Sequence, residues 1–213
     1  MRIQLPMRRV ALFLALLALA LILFLPLRLA LSSSGLTARE TSGTIWSGRL
    51  KEARLGPAAL GDLEARLAFL PLLAGRARLE VERDSAAPDR FVGAFGFGAN
   101  RRSAESVTGV VPVEGMFGAL PVASLELTDV TIRFRDDTCE EAEGLVRATL
   151  AGAQPGMPTS LSGAARCDRG ALLLPLASGA GDEGVTLRLF GDGRWSAELR
   201  LPGAPVAVVD GRL

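Results

Sequence analysis

The stretch GVTLRLFGDGRWSAELRL, residues 184–201, decides the fold class. Apolar and polar residues alternate on both sides of its centre, and such a period of two indicates strands with one buried face. The central Asp192-Gly193 pair is a strong hairpin signal, because glycine accepts a positive φ. The stretch therefore predicts two antiparallel strands joined by a tight turn.

The same alternation recurs along the chain, in residues 62–69, 77–82 and 124–136. In the last of these the apolar positions change parity at Asp129, which predicts a β-bulge. A second turn is predicted from Asp168 to Gly170. About ten strands of ordinary length fit between residues 43 and 201. We therefore predict a mainly β fold, a curved antiparallel sheet or sandwich-like domain.

Two segments depart from simple alternation. FLPLLAG, residues 69–75, has a central proline and predicts a turn or a short helix at a sheet end. FVGAFGFGAN, residues 91–100, predicts a strand whose glycines allow a close approach of another backbone.

Residues 10–27 form an uncharged apolar run, and a helix needs about 20 such residues to cross a bilayer. Arg2, Arg8 and Arg9 precede the run, and the positive-inside rule keeps them in the cytoplasm. A cleaved signal peptide is the alternative, but its apolar region is usually about 7–15 residues long. We predict five parts: a cytoplasmic start (1–9), a transmembrane signal-anchor (10–31), a polar linker (32–42), an exported β domain (43–201) and a loose tail (202–213).

Charge and composition argue against several classes of function. The chain has 24 basic and 23 acidic residues that are interleaved, so that no basic patch for nucleic acid is expected. It has no His, which removes the commonest general base and nitrogen metal ligand. The acidic residues around Cys139 are typical of a solvated turn. We predict no enzyme, no metal site and no cofactor.

Cys139 and Cys167 are the two cysteines of the chain. An even number of cysteines outside the cytoplasm favours a disulfide. Its loop of about 29 residues corresponds to roughly 3.5 kcal/mol in the chain-entropy model. Free or metal-bound thiols are the alternative, although two thiols without a His make a poor zinc site.

Residues 43–82 and the later cysteine region resemble protein N of the bacterial type II secretion system, also called general secretion pathway protein N. The resemblance is carried by glycines, one tryptophan and their spacing: Gly43, Trp46, Gly48, Leu50; Leu60, Gly61, Asp62, Leu63; Pro71, Leu72, Leu73, Gly75, Arg76; and Cys139, Gly144, Leu145, Leu161, Gly163, Cys167, Asp168, Gly170. The family usually has an aromatic W-x-L after the GDL step, where this chain has Ala65-Arg66-Leu67.

The resemblance implies an accessory subunit of a secretion machine, without enzymatic activity. It would be single-pass in the bacterial inner membrane, bound to the bilayer through residues 10–31, with its β domain in the periplasm and other secretion subunits as partners. The opening W-S-G segment is also similar to AsmA-like envelope proteins, whose curved sheets hold lipid. A lipid-binding function is therefore the alternative.

Trp46 lies between Gly43 and Gly48, which would allow a tight first hairpin. Its ring is expected beneath the sheet, and a place in the membrane interface is the alternative. Trp195, which follows the GDG turn, is expected in the core.

Overall fold

The computed structural model describes residues 12–13, 16, 36–55, 58–73, 75–83, 90–118, 120–152, 158–179, 183–200 and 205–212. Its described strands form one curved antiparallel sheet, so the predicted mainly β, antiparallel fold is confirmed. The predicted membrane segment, apart from residues 12–13 and 16, and the three arginines before it lie outside the described residues. Within the described ranges, no helix has the length and apolar character needed to span a bilayer.

From residue 36 onwards, the described part of the chain contains 15 strands and one short helix. They are β1 Leu36–Thr37, β2 Glu40–Thr44, β3 Ser47–Leu55, β4 Ala58–Leu67, α1 Phe69–Leu73, β5 Ala77–Glu82, β6 Val92–Phe97, β7 Arg101–Pro112, β8 Val122–Arg135, β9 Thr138–Leu150, β10 Ser160–Ala164, β11 Arg166–Asp168, β12 Ala171–Ala177, β13 Gly184–Leu189, β14 Arg194–Arg200 and β15 Ala207–Arg212. Strands from β3 to β10 follow one another in the sheet; β1 and β2 both pair with β3, and β10 and β11 both pair with β12.

The strands extend past both predicted limits of the β domain. β1 and β2 begin within the predicted linker, and β15 lies in the predicted tail. The prediction of a loose tail is wrong, because β15 pairs with β14 along its length and Val209 lies opposite Ala197. Gly211 of β15 lies against the indole of Trp195, where a Cβ atom would come within 2.7 Å of the ring.

Both predicted turns are confirmed. The β13–β14 hairpin turns at Asp192-Gly193, with Gly193 at φ 84°, and the β11–β12 turn has Arg169 and Gly170 at φ 50° and 79°. In the first turn, hydrogen bonds from the backbone N–H and then the guanidinium of Arg194 lower the pKa of Asp192.

The two irregular segments take the forms expected from their sequences. FLPLLAG contains the short helix α1, and the glycine-rich segment contains β6. A Cβ atom at Gly96 of β6 would lie 2.2 Å from the Oγ of Ser103 on β7. Small residues in β6 thus make room for side chains of the neighbouring strand.

The inner face of the sheet carries two apolar clusters. One gathers side chains of β3 to β7, such as Leu50 and Leu63, together with Phe91, which immediately precedes β6. The other gathers side chains of β8 to β14, and in it Phe117 meets the buried Trp195 edge to face, with ring centroids 5.6 Å apart. This second cluster joins strands that are distant in the sheet order, so the sheet curls over its own inner face.

The curl coincides with β-bulges whose free N–H groups are capped by side chains of a neighbouring strand. Glu52, Ser106 and Asp129 have φ near +49°, a conformation that bulges usually give to glycine. Their N–H groups donate to side-chain oxygens at 2.9–3.1 Å, which belong to Asp62, Thr131 and Thr108 respectively. The predicted bulge at Asp129 is confirmed by the register shift between β8 and β9.

Thr131 is 7% exposed, and its Oγ1 satisfies the Ser106 N–H inside the curl. Thr131→Val keeps the shape of the side chain and removes this acceptor, so we expect the free energy of unfolding to fall by about 1–3 kcal/mol. Chemical denaturation of the full chain in detergent, followed by tryptophan fluorescence, measures the change.

Thr131→Ser is the matched control and is expected to retain most of the stability. Thr108→Val provides a second comparison, because Thr108 is exposed and water can replace the lost acceptor for Asp129. Equal losses from Thr131→Val and Thr108→Val would show that burial does not set the value of the cap.

Candidate interaction surface

The first family motif builds the hairpin between β2 and β3. Its turn is made by Ile45 and Trp46, and the backbone N–H of Leu67 donates to the Ile45 carbonyl at 2.9 Å. Gly43 has φ 90°, and a Cβ atom there would lie 2.4 Å from the carbonyl oxygen of Ser47. Gly43 therefore allows this tight turn, which places the indole of Trp46 at the end of the sheet.

The second motif, Leu60 to Leu63, holds the bulge between β3 and β4. Leu60 and Leu63 are buried, while Asp62 caps the N–H of Glu52. The guanidinium of Arg83 donates to the Leu60 carbonyl at 2.6 Å. The motif thus shapes the backbone, and its aspartate acts as a hydrogen-bond acceptor.

Ala65 stands where the resemblance to the family leads one to expect an aromatic residue. It is fully buried and lies opposite Gly48 on one side and Val81 on the other.

The third motif forms the connection from α1 to β5. The N–H of Gly75 donates to the carbonyl of Leu72, and the N–H of Arg76 to that of Pro71, both at 3.0 Å. Gly75 has φ 69°, which reverses the chain at the end of the helix.

The cysteine motif binds the C-terminal strands to the β8–β9 hairpin. The predicted disulfide is confirmed: Cys139 and Cys167 are bonded, with Cα atoms 5.6 Å apart. Asp168 pairs with Arg188 of β13 at 2.9 Å, and the Cys139 N–H donates to the Gly170 carbonyl at 2.8 Å.

Gly163 belongs to the same motif and lies where β10 approaches β12. A Cβ atom there would lie 2.0 Å from the carbonyl oxygen of Pro175. The glycine therefore permits a backbone contact that a larger residue would prevent.

The outer face of the sheet is polar and crossed by ion pairs. Glu105 of β7 contacts both Arg78 of β5 and Arg133 of β8, and Arg133 also contacts Glu141 of β9. Arg78 reaches Glu105 across β6, where Gly96 and Ala94 leave space above the strand. Four strands are thus linked by alternating charges.

An apolar cluster interrupts this polar surface at one end of the sheet. We call it the apolar tip, and it consists of Trp46, Phe69 and Leu70. The rings of Trp46 and Phe69 lie 5.8 Å apart, while Phe69 is 57% and Leu70 77% exposed. Trp46 is half-buried. Its exposure is therefore intermediate between that of a ring beneath the sheet and that of a ring in the membrane interface, the two positions considered from the sequence. In the sequence this tip is indicated by FLPLL, residues 69–73, because this apolar run lacks the alternation of a strand with one buried face.

A polar cavity of about 510 Å³ lies at the same end of the sheet, between the β6–β7 and β8–β9 turns. Its lining includes Phe97, Arg101, Phe134, Asp136 and Asp137. Among the residues that the structure describes, no group of three or more Cys, Asp or Glu side chains is placed to hold a metal ion.

Fold and surface together define a curved β-sheet domain that presents charged and apolar contact areas. Residues 34–207 match the family described as type II secretion system (T2SS), protein N, and the match covers more than half of the chain. The chain therefore belongs to this family, as its motifs predicted, and functions in type II protein secretion. No curated protein and no solved structure matches the chain significantly.

Loss of the disulfide is expected to lower the free energy of unfolding by about 3.5 kcal/mol in the chain-entropy model. Chemical denaturation of the variant with Cys139 and Cys167 replaced by Ala, followed by tryptophan fluorescence, measures this loss of stability. Adding a reductant to the natural chain should give a similar loss and should leave the double variant unchanged. A double variant as stable as the oxidised chain would contradict the expectation.

Gly163→Ala is expected to destabilise the chain by about 1–3 kcal/mol through overpacking against Pro175. Gly179→Ala is the matched control, because a Cβ atom there meets nothing within 4 Å. Thermal unfolding of both variants measures the difference, and equal midpoints would show that β10 can move away from β12 without cost.

Proposed function

We propose that the chain is a structural subunit of the type II secretion machine. Residues 10–31 hold it in the inner membrane, and its β domain lies on the periplasmic side. Its activity is to bind other secretion subunits, without catalysis. Family membership supports a place in secretion, and the length of the apolar run together with the preceding arginines supports the topology.

The observation that carries this proposal is the packing of the inner face. Leu50, Leu63 and Phe91 in one cluster, and Val146 and Trp195 in the other, are almost fully buried by neighbouring side chains of the same chain. A domain filled in this way has its outer face, its two sheet edges and its turns left for binding.

The same observation disfavours a lipid-handling domain like that of AsmA-like proteins. Such a domain needs a concave apolar groove whose inward residues contact a ligand. Two surface cavities among the described residues, of about 510 and 350 Å³, have charged residues in their lining, such as Arg101 and Asp137 in one and Arg78 and Glu80 in the other.

Photocrosslinking in intact envelopes tests the proposal. Benzoyl-phenylalanine would replace Arg66, Glu80 or Glu126, all of which are exposed on the outer face. We expect adducts with secretion subunits, identified by mass spectrometry, that disappear in cells lacking the rest of the machine.

The inward, half-buried Leu127 is the control position and is expected to give internal crosslinks. Phospholipid adducts from Leu127, with no subunit adduct from any outward position, would overturn the proposal in favour of a lipid-binding groove.

A further inference from the structure

Several turns of the sheet lie together at one of its ends. The register places the β6–β7 turn beside the start of β5, because Ala77 pairs with Phe97. It places the β8–β9 turn beside the β6–β7 turn, because Arg101 pairs with Arg135. The β13–β14 turn reaches the same end, where the N–H of Gly191 donates to the Asp137 carbonyl. We call this end the turn edge.

The apolar tip belongs to the turn edge. Trp46 forms the β2–β3 turn, and α1 connects β4 to β5 at the start of β5. The tip is therefore a protrusion made of two neighbouring connections, with Leu70 as its most exposed apolar side chain.

The chain joins the sheet at the opposite end. Leu36 of β1 pairs with Leu55 at the end of β3, whereas Trp46 immediately precedes the start of β3. The nine residues of β3 separate the two points by about 27 Å at the usual rise of a strand. Only residues 32–35 separate the proposed membrane segment from β1, and they span at most about 17 Å. The anchor therefore does not draw the apolar tip towards the bilayer.

Positive charge without an acidic partner borders the apolar tip. Arg76, which follows α1 and donates its backbone N–H to the Pro71 carbonyl, is exposed and makes no ion pair with another described residue. Most exposed arginines of β3 to β9, in contrast, contact a glutamate, as Arg49 and Arg66 do with Glu64. The tip thus combines an apolar centre with a basic border, which is complementary to an apolar side chain beside carboxylates.

We propose that the turn edge, through Trp46, Phe69 and Leu70, binds a protein segment of another secretion subunit that carries an apolar anchor flanked by acidic residues. The segment binds on the side of the domain that faces away from the inner membrane. This inference rests on the proposed function and on its membrane topology, and it adds the surface and the chemistry of the partner.

The first test asks whether the apolar tip touches lipid. Trp195→Phe leaves Trp46 as the sole tryptophan of the full chain, which is reconstituted in phosphatidylethanolamine and phosphatidylglycerol vesicles with brominated acyl chains. We expect no loss of Trp46 fluorescence relative to unbrominated vesicles. Strong quenching would place the tip in the bilayer and overturn the inference. Trp46→Phe, which reports from the buried Trp195, controls for non-specific quenching.

The second test identifies the partner in intact envelopes. Benzoyl-phenylalanine replaces Phe69, which preserves an exposed aromatic ring, and in a separate variant replaces Val206, an exposed apolar residue at the opposite end. We expect a subunit adduct from Phe69 that falls about tenfold when Leu70→Glu places a charge in the contact. Leu145→Glu, at a residue that is 60% exposed on β9, is the matched control and should leave the adduct unchanged.

A charge substitution at Arg76 tests whether the basic border of the apolar tip takes part in binding. Arg76→Glu should weaken the Phe69 adduct, and Arg76→Lys should retain it, if the partner presents carboxylates. An adduct that is indifferent to both changes would remove the acidic flank from the inference.

The outcomes separate the inference from the proposed function. Subunit adducts from Val206 or the outer face, with none from Phe69, would overturn the inference and leave the structural role standing. An adduct from Phe69 that survives Leu70→Glu would also overturn it. Absence of subunit adducts from every position would refute the structural role itself.

Discussion

The capped β-bulge is the constraint on which the rest of this structure depends. A non-glycine residue at positive φ is less favourable by about 1–2 kcal/mol, and its bulge leaves an N–H group without a strand partner. Asp62, Thr108 and Thr131 supply acceptors for these groups from adjacent strands. Because a capped bulge bends its strand and increases the local twist, the sheet can curl and enclose its own apolar face.

The curl brings backbones together, and small residues make those contacts possible. β10 reaches β12 at Gly163, and β15 covers Trp195 at Gly211, in each case where a Cβ atom would collide. The Cys139–Cys167 disulfide then ties β11 to the β8–β9 hairpin. The capped bulges, the glycines at close backbone contacts and the disulfide act at different sites. All three contribute to the same closure of the sheet.

Local patterns in the sequence were sufficient for the fold class, because alternation and turn chemistry are set within a few residues. They located the GDG hairpin and the bulge at Asp129. They could not give the curl, because the acceptor for Ser106 is Thr131, 25 residues away. They missed β15, since the prolines and glycine of residues 202–205 marked a loop and hid the pairing of Val209 and Gly211 with the preceding strand β14. They also left the surroundings of Trp46 open, because Phe69, whose ring contacts the indole, lies 23 residues further along the chain.

Charge and apolar exposure have different roles on this surface. Exposed ion pairs such as Arg133 with Glu141 contribute about 0–1 kcal/mol each, so the outer face gains little stability from them. Their effect is to keep a broad sheet hydrated and to discourage unspecific pairing. Binding energy is usually concentrated in a few large side chains near the centre of a contact. Among the described residues of the turn edge, Phe69 and Leu70 are the most exposed large apolar side chains, so specificity for a partner is expected to reside there while the charged face limits wrong contacts.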